Sequence, residues 1–358
     1  MKHVWISRFI LCLLIFLVAG CASERMAESN ASKAAIEEYF ATDRNFIGDV
    51  AHGKIYGSQR APLTYGCLRL SRPVRHSIGN TQHEKLGSDS LNDFVITRQK
   101  LRMTGKEFFD DVFSSETPGK TSDILLYIHG YNTTFEHAAV TMARIVTDLG
   151  FRGKAIFFSW PSNGKMLKYV ADQNNSDWSS KNLKTFLEEL AGRASPKSIS
   201  IIAHSMGNRE TVNALAGLKN ENRLPRDRIR TIIMAAPDID SMIFERDFAP
   251  VVSGTGALVT LYVSRNDKAM RLSYDVNGYT RLGGVEDYPV IHQGIDTIDV
   301  TNVDLGYLGH DYFVSSRQVL SDIYYIINGG VRAKDRFSLS PVRFTRDGKT
   351  CTYWIFEK

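Results

Sequence analysis

Ser205 is the residue whose neighbours best suit it to be a nucleophile. It follows the β-branched run Ile199-Ser-Ile-Ile-Ala-His204 and precedes Met206-Gly207 and a helical pattern. A strand that turns sharply into a helix lifts such a serine clear of the sheet in a strained conformation. The turn brings two backbones together, so small residues are needed two positions either side, and Ala203 and Gly207 supply them. A hydroxyl attacks well only when a base takes its proton and a carboxylate holds that base in the right tautomer. His310, just ahead of a closing helical pattern, is the candidate base. Asp267, in Ser264-Arg-Asn-Asp267 after the run 258–263, is the candidate orienting acid, with Asp238 after the preceding run as the alternative.

These side chains need a scaffold, and the patterning describes one. Apolar, β-branched runs recur at 123–129, 154–159, 199–204, 230–235, 258–263 and 295–300. Between them lie helical spacings: 136–149, 179–191 with Leu183, Phe186, Leu187 and Leu190 on one face, the helix after Ser205, and 312–327. Such alternation predicts one mostly parallel sheet with helices on both faces. Strands predicted at 64–70 and 93–101 make a small N-terminal extension, and 337–356 alternates loosely enough for a peripheral hairpin.

The matching pieces Tyr65-Gly66, His129 to Asn132, Phe158 to Ser162, Ala203 to Asn208, Ala236 to Asp238 and Gly309-His310 span most of 60–330. Together they resemble a bacterial branch of the α/β-hydrolase superfamily labelled as a domain of unknown function. The resemblance implies an α/β-hydrolase fold and the chain order serine, acid, histidine, which Ser205, Asp267 and His310 follow. It also implies an oxyanion turn at His129-Gly130, with the backbone amides of Tyr131 and Met206 as donors and Trp160 beside the pocket. The elbow departs from the G-x-S-x-G pattern in having Ala203 first. His204 reads as structural, and Glu210 suits the positive end of the elbow helix.

The first twenty residues read as a signal peptide: Lys2 and Arg8, then an apolar run too short to span a bilayer. Leu17-Val-Ala-Gly-Cys21 resembles a lipoprotein processing site, which implies acylation of Cys21 and a cell-envelope location. Ala22 in place of an aspartate favours the outer membrane, facing the periplasm. A formal net charge of +5, evenly spread, excludes a dedicated nucleic-acid binder. His52, His76, His83, His137 and His292 lack metal-ligand spacing, and no phosphate-binding glycine loop occurs, so neither metal nor cofactor is expected. Cys67 and Cys351 either pair in an oxidising compartment or stay free.

The expected organisation is a signal peptide (1–20), a lipid-anchored tether with an N-terminal segment (21–60), the hydrolase domain (61–330) and a tail packed on it (331–358). The expected activity is membrane-tethered serine hydrolysis of an acyl bond, a carboxylic ester in a small molecule or lipid. An acyltransferase, or a silent envelope-binding module on the same fold, are the alternatives.

Overall fold

The computed structural model describes residues 35–79, 85–114, 123–195, 198–303, 309–346 and 348–357. The signal segment, Cys21 and the polar stretch that follows it lie outside the described residues.

The strands are β1 (Ala35–Asp49), β2 (Lys54–Ser71), β3 (Val95–Met103), β4 (Ile124–Ile128), β5 (Lys154–Ser159), β6 (Ile199–His204), β7 (Ile229–Ala235), β8 (Leu258–Val263), β9 (Ile295–Asp299), β10 (Leu339–Arg346) and β11 (Lys349–Phe356). They form one sheet in the order β10-β11-β9-β8-β7-β6-β4-β5-β1-β2-β3. Strands β4 to β9 pair in parallel, and β1 and β11 join them in parallel through β5 and β9. Antiparallel pairing is confined to the two edges, at β2, β3 and β10. Every residue of β4, β6 and β8 is buried, as continuous apolar runs in a sheet covered on both faces must be.

The main helices are α1 (Gly105–Val112), α2 (Phe135–Asp148), α3 (Tyr169–Arg193), α4 (Met206–Asn220), α5 (Lys268–Asn277) and α6 (Arg317–Tyr324). Phe108, Phe186, Leu190, Val212 and Leu215 of α1, α3 and α4 share one core layer. Ala139, Met142, Val319 and Ile323 of α2 and α6 share the other, on the opposite face. This is the mostly parallel, doubly covered sheet that the alternation predicts, in the α/β-hydrolase fold that the resemblance implies.

Four elements differ from their sequence-based expectations. Residues 35–60 are not a tether segment: β1 lies inside the sheet between β5 and β2, and β2 begins at Lys54. Charged Glu37, Glu38, Asp43 and Arg44 interrupt its apolar pattern, although Glu38, Asp43 and Arg44 are buried. Helix α3 starts at Tyr169, a decade before its apolar stripe, because its first turns bury polar Asp172, Ser176 and Ser179 instead. The closing helix breaks at Ser316, which turns extended (φ −98°, ψ 121°) and caps α6 through Val319 N. The tail is not merely packed on the domain, since β11 extends the sheet beside β9. Cys67 and Cys351 are free. They sit on β2 and β11, near opposite edges, far beyond the roughly 4.4–6.8 Å between Cα atoms that a disulfide spans.

Candidate active site

Ser205 occupies the turn between β6 and α4 with φ 52° and ψ −123°, a left-handed conformation that a side chain adopts only under constraint. The constraint is visible. Ser205 N donates to Ala235 O (3.0 Å), and Asp238 N donates to Ser205 O (3.2 Å). The Asn208 amide, one turn into α4, donates to Ala203 O (2.9 Å) and Ala235 O (3.2 Å), tying three sides of the turn together. A Cβ on Gly207 would come within 2.5 Å of His129 O and 2.6 Å of Ile128 O, so only glycine lets α4 start this close to β4.

The structure brings Asp267 and His310 into contact. His310 Nδ1 donates to Asp267 Oδ2 at 2.8 Å, which leaves Nε2 as the acceptor on the ring. Asp267 Oδ1 accepts from Ala269 N (2.9 Å) and Met270 N (3.1 Å), so the same carboxylate caps α5. Burial pushes the His310 imidazole down. The Asp267 carboxylate, by charge and hydrogen bond, with Asp311 and Asp238 beyond it, more than reverses this and lifts the imidazole to about 9. His310 is held against the elbow through His204, whose Nε2 donates to His310 O (3.2 Å) and whose ring centroid lies 4.6 Å from that of His310. Burial, then the neighbouring His310, drive His204 down to about 3, so it stays neutral.

Asp238, the alternative acid, is engaged elsewhere. Its Oδ1 accepts from Arg281 Nε (2.8 Å) and Ser273 Oγ (2.6 Å), and its Oδ2 accepts from the Tyr169 hydroxyl (2.7 Å). Both members of the Asp238–Arg281 pair are buried.

The turn after β4 closes on the elbow. A Cβ on Gly130 would lie 2.7 Å from Ser205 Cβ. His129 Nδ1 donates to Gly130 O (2.8 Å), because a carbonyl can only accept. Its Nε2 therefore carries the lone pair that faces Arg44 Nη2 and Ser159 Oγ, each at 3.3 Å. Burial and the adjacent Arg44 hold this imidazole well below its ordinary value. Trp160, expected beside the pocket, is wholly buried instead. It stacks on His129 at 5.1 Å and donates from Nε1 to His129 O (2.8 Å), a prop beneath the turn. The Tyr131 hydroxyl donates to Met166 O.

Sequence reading missed Arg44. Its buried guanidinium donates to Ser159 Oγ (2.9 Å), Ser162 O (2.9 Å), Gly57 O (3.0 Å) and Thr133 O (2.7 Å), besides facing His129. One side chain from β1 thus ties the loops after β4 and β5. Asp172 assists, accepting from Ser162 Oγ (2.6 Å) and Asn163 N (2.8 Å). The only trace in the sequence is a charged pair, Asp43-Arg44, closing the apolar stretch Tyr39-Phe-Ala. Among the described residues, no group of three or more His, Cys, Asp or Glu side chains is placed to share a metal ion.

Residues 107–327 match the family model described as an alpha/beta hydrolase of unknown function (DUF900). The chain belongs to this family. An uncharacterized protein, alr1448, of Nostoc sp. (strain PCC 7120) is 28% identical over 206 residues, covering 42% of this chain and 53% of its own. The chain therefore spans about half the length of that curated relative. Among solved structures, a fungal esterase from Rhizomucor miehei aligns at 8% identity and a TM-score of 0.37, over 86% of this chain and 87% of its own. A cold-adapted esterase from an Arctic intertidal metagenomic library aligns at 10% identity and 0.37, over 81% and 93% respectively.

Proposed function

We propose that this α/β hydrolase is a serine hydrolase acting on carboxylic esters through an acyl-enzyme. Ser205 Oγ attacks the ester carbonyl and passes its proton to His310 Nε2. His310 then protonates the departing alcohol, and later draws a proton from the water that releases the acid. Asp267 fixes the tautomer and stabilises the imidazolium. The backbone amides of Met206 and Tyr131 take the developing oxyanion, each such donor being worth about 3–4 kcal/mol. The observation that carries the reading is the 2.8 Å bond from His310 Nδ1 to Asp267, with the His310 ring packed on His204, the residue that precedes a serine held at positive φ.

The processing-site pattern at Cys21 supports an acylated N-terminus in the cell envelope, at the outer membrane facing the periplasm. Acyl transfer to an acceptor other than water uses the same groups and differs only in what deacylates Ser205.

A fluorophosphonate probe tests the reading. It should label the wild type and spare a folded Ser205→Ala variant, and labelling independent of Ser205 would falsify the assignment.

A further inference from the structure

The pole of the sheet that carries Ser205 is edged by exposed apolar side chains. Leu167 is 97% exposed, Met166 63% and Met242 71%, with Val170, Val276 and Tyr279 also exposed. They come from the three segments, loop and adjoining helical turn, that follow β5, β7 and β8, and hydrogen bonds make those segments neighbours. Tyr169 OH lies 2.8 Å from Ser273 Oγ and Gln173 Nε2 donates to Asn277 Oδ1 (2.9 Å), which sets α3 beside α5. Ser241 N donates to Thr280 O (2.9 Å), which sets the Met242 turn beside Tyr279. Single exposed apolar residues need no explanation, but Met166, Leu167 and Val170, exposed within five positions of one turn, do.

The charges indicate what covers it. Lys165 and Lys168 bracket Met166-Leu167 and are exposed, whereas Asp247, Glu286 and Asp287 are exposed acids near Met242, so the basic part of the rim is the Met166-Leu167 turn. Apolar tips flanked by lysines fit the boundary of an anionic phospholipid layer, where the stems lie among acyl chains and the ammonium groups reach phosphates. The loop is tied to the site through Tyr131, which donates to Met166 O, and through Tyr169, whose ring meets that of Tyr131 at 5.4 Å. Chain length permits the orientation. Ala35 opens β1 at the opposite pole, and the thirteen residues 22–34 reach up to about 45 Å when extended.

We infer that the turn at Met166-Leu167, with Val170 beside it, seats the protein on an anionic phospholipid surface with Ser205 facing the lipid. Only the delivery of lipid esters to Ser205 rests on the hydrolase reading.

The test places tryptophan at each pole of the full chain, as Leu167→Trp and as Tyr324→Trp. Tyr324 is exposed beside the starts of β4, β6 and β7. With phosphatidylglycerol vesicles carrying brominated acyl chains, and the wild-type emission subtracted, the tryptophan at 167 should shift to the blue and be quenched at least twofold. The one at 324 should be unaffected. Quenching at 324 alone, no quenching at either site, or a dimer dispersed by Leu167→Glu without vesicle contact would each overturn the inference. Seating should survive Ser205→Ala, so failure of the hydrolase reading is read separately. Leu167→Glu should leave hydrolysis of a soluble ester unchanged and cut hydrolysis of a vesicle-embedded ester about tenfold, and equal loss on both would also overturn it.

Discussion

Asp267 serves His310 and helix α5 with different oxygens of one carboxylate. Oδ2 accepts from His310 Nδ1 at 2.8 Å, and Oδ1 accepts two amides of the first turn of α5. The cap fixes the carboxylate in place before any substrate arrives, so the imidazole is oriented by backbone geometry and not by a freely rotating side chain. Asp238 offers no oxygen to the imidazole, because Arg281, Ser273 and Tyr169 already use both.

From this follows a pH prediction. A base must be unprotonated to accept the serine proton, so kcat/KM should climb as pH rises through about 9 and fall below it. Asp267→Asn removes the charge that raises His310, so the acid limb should move down towards or below the ordinary 6.5, and the plateau should drop about 10³-fold or more. Asp238→Asn should move the limb far less and act mainly on stability. Profiles of kcat/KM against pH for the three proteins check this, and a larger loss in Asp238→Asn would reassign the acid.

The two glycines at the elbow should fail differently. Gly207→Ala drives a methyl into the backbone oxygens of Ile128 and His129, which cannot yield without separating α4 from β4. A loss of several kcal/mol in unfolding free energy, read from denaturant titration, is expected. Gly130→Ala meets the Ser205 side chain at 2.7 Å instead. It should cost stability as well, because Ser205 Cβ is fixed by the elbow backbone and His204 O lies 3.1 Å away, and in the folded fraction it should slow probe labelling at least 10²-fold, since the displaced group is the candidate nucleophile.

The elbow was legible because its chemistry is local: strand, strained serine, small residues and helix lie within a dozen positions. Asp267 and His310 were legible at one remove, as each follows a strand that its own apolar run announces. Arg44 was not, because its partners Gly57, Thr133, Ser159 and Ser162 come from three other segments that only the fold assembles. Helix α3 shows the same limit. It buries Ser179 against Asp43 of β1 and Asp172 against Ser162 of the loop after β5, so polarity there marks an interior contact and not a solvent face. Periodicity reports apolar packing and is blind to buried polar packing.

Arg44→Leu should therefore be among the most damaging changes outside the reacting groups. It strands the carbonyls of Gly57, Thr133 and Ser162 without their donor, at about 1–3 kcal/mol for each unsatisfied group, less than additively. A loss of about 3–5 kcal/mol in chemical denaturation is expected, with slower Ser205 labelling in whatever remains folded, because the turn after β4 that closes on the elbow loses its anchor. Arg44→Lys should rescue little: one ammonium cannot reproduce a planar fork of donors.

Glu38 offers the opposite sign. It is wholly buried on β1, neither oxygen has a hydrogen-bond partner, and burial raises its carboxyl well above the ordinary glutamate value of 4.5. Above that pH the unfolded chain releases this proton while the folded chain keeps it. The folded state thus binds more protons, and stability falls as pH rises, by about 1.4 kcal/mol per pH unit for one proton, until the raised folded value is reached. Asp43, pushed up to about 6 mainly by burial, acts in the same direction over a narrower window. Glu38→Gln keeps the shape and removes the titration. Its unfolding free energy should be flatter with pH between about 5 and 8, and its midpoint should exceed the wild type's at pH 8 while falling at or below it near pH 4. Urea titrations at four pH values measure both slopes, and parallel slopes would show that Glu38 is ionised in the folded protein.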